Sequence, residues 1–195
     1  MSIRLLGIAG STRRESLHKR LLHVALRAAE SEDVRIEHLD LRELDIPLYD
    51  SDLEGEEGMP EGVSRLREAL KSSDGVVIAS PEYNGSLTAV LKNAIDWTSR
   101  PDPRFPDDPA LVAWRGKVAG ILSASPGGLG GIRGLVHLRA ILSHIGMVVV
   151  PQQAAIPSGH KAFHENGSIL DPNQHAQVES VGRAVAELAA KLAAD

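Results

Sequence analysis

Apolar runs and helix-spaced apolar positions alternate along this chain. Ile3 to Ala9 (IRLLGIA) is a near-continuous apolar run closed by Gly10, the pattern of a buried strand. Leu21, Leu22, Ala25, Leu26 and Ala29 then recur at helical spacing. Val34 to Leu39 (VRIEHL) alternates, as a strand nearer a sheet edge does. Asp40 to Pro60 carries Pro47, Gly55, Gly58 and a cluster of acids, and reads as a solvated loop. Val63, Leu66 and Leu70 mark a second helix.

The alternation continues to the end of the chain. Gly75 to Ser80 (GVVIAS) is short, β-branched and followed by proline, which suits a central strand buried on both faces. Leu87, Val90, Leu91, Ala94 and Ile95 predict a third helix ending near Arg100-Pro101. Pro103, Pro106 and Pro109 make the next segment a surface loop. Lys117 to Ala124 (KVAGILSA) predicts a fourth strand. Leu135, Leu138, Leu142 and Ile145 predict a helix with Gly146 at its C-terminal cap. Met147 to Val150 (MVVV) predicts a fifth strand, stopped by Pro151. Asn166-Gly167 has the chemistry of a hairpin turn. Asp171-Pro172 reads as an N-cap and N1 pair opening a last helix along Val178, Val181, Val185, Leu188 and Leu192.

Five strands alternating with five helices predict an α/β fold, a parallel sheet with helices on both faces. The length of 195 residues fits one domain, residues 1–195. In such sheets ligands lie at the carboxyl ends of the strands, where strand order reverses. Three loops therefore carry the candidate chemistry: those after the first, third and fourth main strands.

Composition narrows what that chemistry can be. The chain has no cysteine, which excludes disulfides, thiolate metal sites, iron–sulfur clusters and cysteine nucleophiles. Its net charge of −5 lacks the basic excess of a general nucleic-acid binder, so no nucleic-acid partner is expected. No apolar run reaches the roughly 18 residues of a membrane span, and the first residues lack a signal-peptide core. The expectation is a soluble cytoplasmic protein with no membrane partner. The histidine pairs, His160 with His164 and His137 with His144, read as surface residues and no metal site is expected. Only six residues are aromatic (two Trp, two Tyr, two Phe), so one beside a strand end is a candidate ring contact.

The first loop, Gly10 to Ser16 (GSTRRES), places hydroxyls and arginines before a helix N-terminus, the chemistry that binds a phosphate. It is neither a Walker loop nor the dinucleotide fingerprint. Equally, Ser16 can be a simple cap with the arginines in solvent. The second, Pro81 to Ser86 (PEYNGS), is a tight turn that presents Tyr83 and Asn84 where a flat heterocycle would lie, or an ordinary turn with Ser86 capping the next helix. The third, Ser123 to Gly131 (SASPGGLGG), has four glycines that allow a ligand close to the backbone, or only turn a corner. One phosphate loop, one aromatic turn and one glycine-rich turn together suit a flat cofactor with a single phosphate tail, such as flavin mononucleotide (FMN).

The order GSTRRES, PEYNGSLTAVLKNAIDW, SASPGGLGGIRGLVHLRAIL resembles the NADPH-dependent FMN reductases of the flavodoxin-like group. The resemblance runs from Ile3 to about Val150. It implies a flavodoxin-like five-stranded parallel sheet of order 2-1-3-4-5. It also implies an oxidoreductase that passes hydride from NADPH or NADH to FMN and then electrons to a small-molecule acceptor, by a ping-pong scheme. Carried onto this sequence, it places Ser11, Arg13 and Ser16 on the phosphate, with His18 standing where the family commonly has asparagine and able to donate to the same phosphate. Pro81, Glu82, Tyr83, Asn84 and Gly85 match the turn that cradles the ring and ribityl chain, and Ser125 and Gly127 match the loop on the ring's other edge. Lys92, Asn93 and Asp96 are expected to be structural or interface residues, and Trp97 to serve packing or an interface. The resemblance implies a homodimer or homotetramer. A flavodoxin-type electron carrier is the alternative on the same fold. Arg13, Arg14 and Arg100 are all candidates for a 2′-phosphate on the donor.

Overall fold

Every residue of β3 (Gly75–Ala79) is buried, and the rest of the molecule is arranged around it. The computed structural model describes residues 2–194. β3 lies between β1 (Ile3–Ala9) and β4 (Val118–Ala124), with β2 (Val34–Asp40) and β5 (Val148–Ile156) outside them. All pairings are parallel and the order is 2-1-3-4-5, as expected. The topology reverses between β1 and β3, so the loops after these strands diverge and leave a crevice.

Alternate strand residues feed two cores. Leu5, Val77 and Leu122 face α1 (Leu17–Ala29) and α6 (Pro172–Ala193), meeting Leu21, Leu26, Val181 and Val185. Leu6, Ile8, Val76, Ile78 and Ile121 face the opposite way. There they meet α3 (Glu61–Ser72), α4 (Ala89–Thr98) and α5 (Ile132–His144) through Leu66, Leu91, Leu135 and Leu138. The period of two along each strand is what gives both faces an apolar surface. Helices α1 and α6 touch closely because Gly182 lies on the Ala25 carbonyl; a Cβ there would stand 1.8 Å from that oxygen. Among the described residues no helix is long and apolar enough to cross a membrane.

Several local signals hold. Gly146 follows α5 in the left-handed region (φ 88°). His164 and Ser168 close the Asn166-Gly167 hairpin, and Asp171 caps α6 with Pro172 in its first turn.

Two expectations fail. The segment Asp40 to Pro60 is not all loop: it contains a further helix, α2 (Ser51–Glu57), so the helices number six among the described residues and not five. Asp50 caps it, accepting from the Asp52 N–H at 2.8 Å, and acids fill its first turn. It buries no residue, so it has no apolar stripe for periodicity to find. Tertiary contacts hold the strap instead. Asn93 and Trp97 both donate to the Pro47 carbonyl, Tyr49 packs edge-on against Trp97, and Arg100 forks onto Glu54.

The fifth strand is not stopped by Pro151 but runs on to Ile156. The ladder with β4 shifts register between Ala119 and Ile121, so Pro151 sits at a bulge. β5 is also an edge strand, where a missing N–H costs no ladder bond. Arg139 donates to the Val149 and Val150 carbonyls and to Gln153, binding α5 to this irregular stretch.

Candidate functional site

The site is built by three loops tied to one another at the carboxyl edge of the sheet. The first leaves β1 through Gly10, whose N–H donates to the Ala79 carbonyl, and enters α1 at Ser16. Ser16 is the N-cap, its Oγ accepting from the His18 N–H at 3.2 Å. Ser11 is buried and Arg13 and Arg14 are exposed. Among the hydrogen bonds of the described residues, the N–H groups of Thr12, Arg14, Glu15 and Ser16 reach no protein acceptor. These free amides, the helix N-terminus and Arg13 make a donor set suited to an oxyanion.

The second loop is a two-residue turn. Tyr83 and Ser86 exchange both backbone bonds, at 2.9 and 3.1 Å, around Asn84 (φ 53°) and Gly85 (φ 80°). Two successive left-handed residues define the type I′ geometry that Asn-Gly favours. The turn lifts the Tyr83 ring into solvent, 58% exposed, and a Cβ on Gly85 would meet nothing. The cap of α4 is Thr88, not Ser86 as the alternative reading of this loop has it. Thr88 begins the helix because its buried Oγ1 both accepts from Leu91 N–H and donates to the Gly10 carbonyl at 2.7 Å. Ser86 instead faces His137, at 3.0 Å.

The third loop follows β4. Ser123 donates to the Ser80 carbonyl at 2.7 Å, and the Ser125 N–H donates to Ile156. A Cβ on Gly128 would meet open space, and one on Gly127 only the Ser125 hydroxyl at 3.7 Å. Glu82 joins the second loop to the third. Its carboxylate accepts from Arg133 and from the Gly134 N–H at 3.1 Å, at the N-terminus of α5. Burial raises the pKa of this carboxyl, but the Gly134 and Arg133 hydrogen bonds outweigh it and leave Glu82 below its ordinary value.

Unpartnered amides, an exposed ring and an open glycine loop thus lie at the same edge of the sheet. Comparison with known proteins identifies what shares this arrangement. The family model described as NADPH-dependent FMN reductase matches residues 3–161. The chain belongs to that family. It is 38% identical over 170 residues to an NAD(P)H-dependent FMN reductase of Pseudomonas aeruginosa, covering 87% of this chain and 85% of that one. It is 32% identical over 195 residues to an NAD(P)H:quinone oxidoreductase of Solanum tuberosum, covering 97% and 94%. Among solved structures it resembles FerB, a flavoenzyme NAD(P)H:(acceptor) oxidoreductase from Paracoccus denitrificans. The identity there is 31% and the TM-score 0.79, with 97% of this chain and 98% of that chain covered.

Family membership makes this FMN reductase homologue an oxidoreductase, with FMN and a nicotinamide donor as the implied cofactors. The residues present fit FMN: unpartnered amides and Arg13 for the phosphate, open glycines and Tyr83 for the ring. Ser11, Arg13, Ser16, Tyr83, Asn84, Gly85, Ser125 and Gly127 are therefore brought to one edge. Pro81 is buried where β3 turns outward. Two of the expected residues are also engaged by other parts of the chain. Glu82 is engaged by α5, and His18 lies buried beneath the first loop. Its Nε2 accepts from the Ala124 N–H at 3.1 Å, so that nitrogen is not a donor to a phosphate.

Arg100, a candidate for a 2′-phosphate, is held by Glu54 against the α2 strap. Trp97 is fully buried, and Asn93 serves the same strap. Sequence reasoning missed Thr88, Ser80 and Ser123, the tethers between loops. Thr88 carried a signal, a hydroxyl residue just before an apolar helix. Nothing in the sequence pairs Ser123 with Ser80.

Proposed function

We propose that this chain is an NAD(P)H-dependent FMN enzyme that passes electrons to a quinone, azo compound, flavin or similar small acceptor by a ping-pong scheme. The observation that carries this is the carboxyl edge of the sheet, with amides unpartnered on the first loop and an exposed tyrosine on the neighbouring second loop. FMN, when bound, would supply the hydride and electron chemistry. The chain's own part is to hold and orient. Ser11, Ser16, Arg13 and the loop amides bind the phosphate. Tyr83, Asn84 and Gly85 border the ring, while Ser125 and Gly127 line its other edge. No side chain of this set is placed as a nucleophile or general base. One open face serves donor and acceptor in turn, which is the geometry a ping-pong scheme needs.

The assembly we propose is a cytoplasmic homodimer or homotetramer. A groove of about 670 Å³ runs beside Tyr83, walled by Leu87, Ala89, Ala140 and Ile141, and gives α4 and α5 an apolar surface.

The decisive experiment is spectral. Purified protein titrated with FMN is expected to show a perturbed flavin absorbance, bleached on adding NADPH and restored by a quinone. A protein that binds no FMN sinks the proposal. One that binds FMN but oxidises NADPH only with a partner reductase is a flavodoxin-type carrier.

A further inference from the structure

Among the described residues His18 is the one buried imidazole, and its partner is the backbone amide at the end of β4. It is the second residue of α1 and 6% exposed. Its own N–H is taken by the Ser16 cap, which fixes the ring's starting point. Ala124, the last residue of β4, donates its N–H to His18 Nε2 at 3.1 Å. An imidazole nitrogen that accepts carries no hydrogen, so the ring proton lies on Nδ1. Three chain segments converge here. Gly159 packs between Leu17 and Ala124, 3.3 and 3.2 Å from where its Cβ would be, and donates to the Ser125 carbonyl at 2.8 Å. His18 therefore joins the loop that cradles the phosphate to the loop that borders the ring.

We propose that His18 is a positioning residue, which sets the spacing of the first and third loops for FMN through the Nε2 lone pair that accepts the Ala124 N–H. The proposal rests on the FMN reading given above. Removing the lone pair releases the end of β4 from α1. The binding-competent spacing is then only part-populated, and apparent affinity falls by that fraction. Burial agrees with the assignment: it pushes the His18 pKa down to about 4, which keeps Nε2 free to accept at neutral pH.

The test uses the whole chain. In wild-type protein, long-range nitrogen–proton NMR is expected to show His18 protonated on Nδ1 alone, before and after saturation with FMN. A switch to Nε2–H or to imidazolium on adding FMN would break the bond from Ala124 and overturn the proposal, as would an Nδ1–H resonance shifted strongly downfield by FMN, the mark of that proton donating to the phosphate. His18→Leu is expected to weaken FMN binding about tenfold, measured by quenching of flavin fluorescence. His18→Asn, whose side-chain oxygen can accept, is expected to recover to within about threefold of wild type. A lowered melting temperature in His18→Leu with unchanged FMN affinity would show a merely structural role and refute positioning. Failure of the underlying reading looks different, since wild-type protein would then bind no FMN at all.

Discussion

Thr88→Val tests the tie between the first two loops. The substitution exchanges a hydroxyl for a methyl of equal size at a site 1% exposed, so no cavity opens. Two bonds are lost. The Leu91 N–H loses its cap at 3.3 Å, and the Gly10 carbonyl loses a buried donor at 2.7 Å. Loss of a threonine cap costs about 1 kcal/mol. A buried carbonyl left unsatisfied costs a further ~1–3 kcal/mol. The sum is about 3 kcal/mol, and at this chain length it lowers the melting temperature by roughly 6–12 °C. Thr88→Ser keeps the hydroxyl and loses one buried methyl, worth about 1 kcal/mol. Urea denaturation followed by circular dichroism should therefore rank wild type above Thr88→Ser, and Thr88→Ser above Thr88→Val. If Thr88→Val is the more stable of the two, packing of the γ-methyl outweighs the tether and the reasoning fails. On the proposed function, FMN affinity is expected to follow the same order, because the Gly10 carbonyl opens the loop proposed to bind the phosphate.

Other consequences can be checked separately. Arg13→Ala is expected to raise the FMN dissociation constant about tenfold by removing one charge-assisted contact, while leaving stability within ~0.5 kcal/mol, as measured by titration and thermal melting. Glu82 holds its charge below the ordinary carboxylate range, so the stability it contributes is present above that range and lost as pH falls through its lowered value. Glu82→Gln should flatten the acid limb of the stability curve, and an acid limb identical to wild type would refute the role given to Arg133 and Gly134. His18 is neutral when folded and ordinary when unfolded. Its contribution is therefore full above about pH 6.5 and lost as pH falls toward 4, with a proton taken up on unfolding inside that window. His18→Asn should abolish that proton uptake, measured by unfolding in buffers of different ionisation heat.

Much of this architecture is written in local order. IRLLGIA, GVVIAS and KVAGILSA are apolar runs too short for helices, and strands of that kind with helices between them have few parallel arrangements. The three loops were legible for a related reason. Hydroxyls before a helix, Asn-Gly, and glycine runs each impose a backbone geometry within a few residues. The α2 helix was not legible, because its cap is local but the strap's support is Asn93, Trp97 and Arg100, 46 to 50 residues from the atoms they hold. Pro151 misled for the opposite reason. Its missing N–H would end a central strand, and only the bulge between the Ala119 and Ile121 pairings and the edge position of β5 make it harmless.

What the sequence determined by itself was the alternation of elements, the loops that carry polar chemistry, and the residue types within them. Periodicity and turn propensity act over a few residues, so they can be read along a line. What the tertiary structure decided was the job of each side chain. Glu82 stands in the turn after β3 yet spends its carboxylate on Arg133 and Gly134 of the next helix, and His18 stands in the first turn of α1 yet accepts from Ala124 at the end of β4. A hydrogen bond depends on which distant amide or guanidinium the fold delivers to within 3 Å or so, and that is fixed only when the sheet and helices are packed.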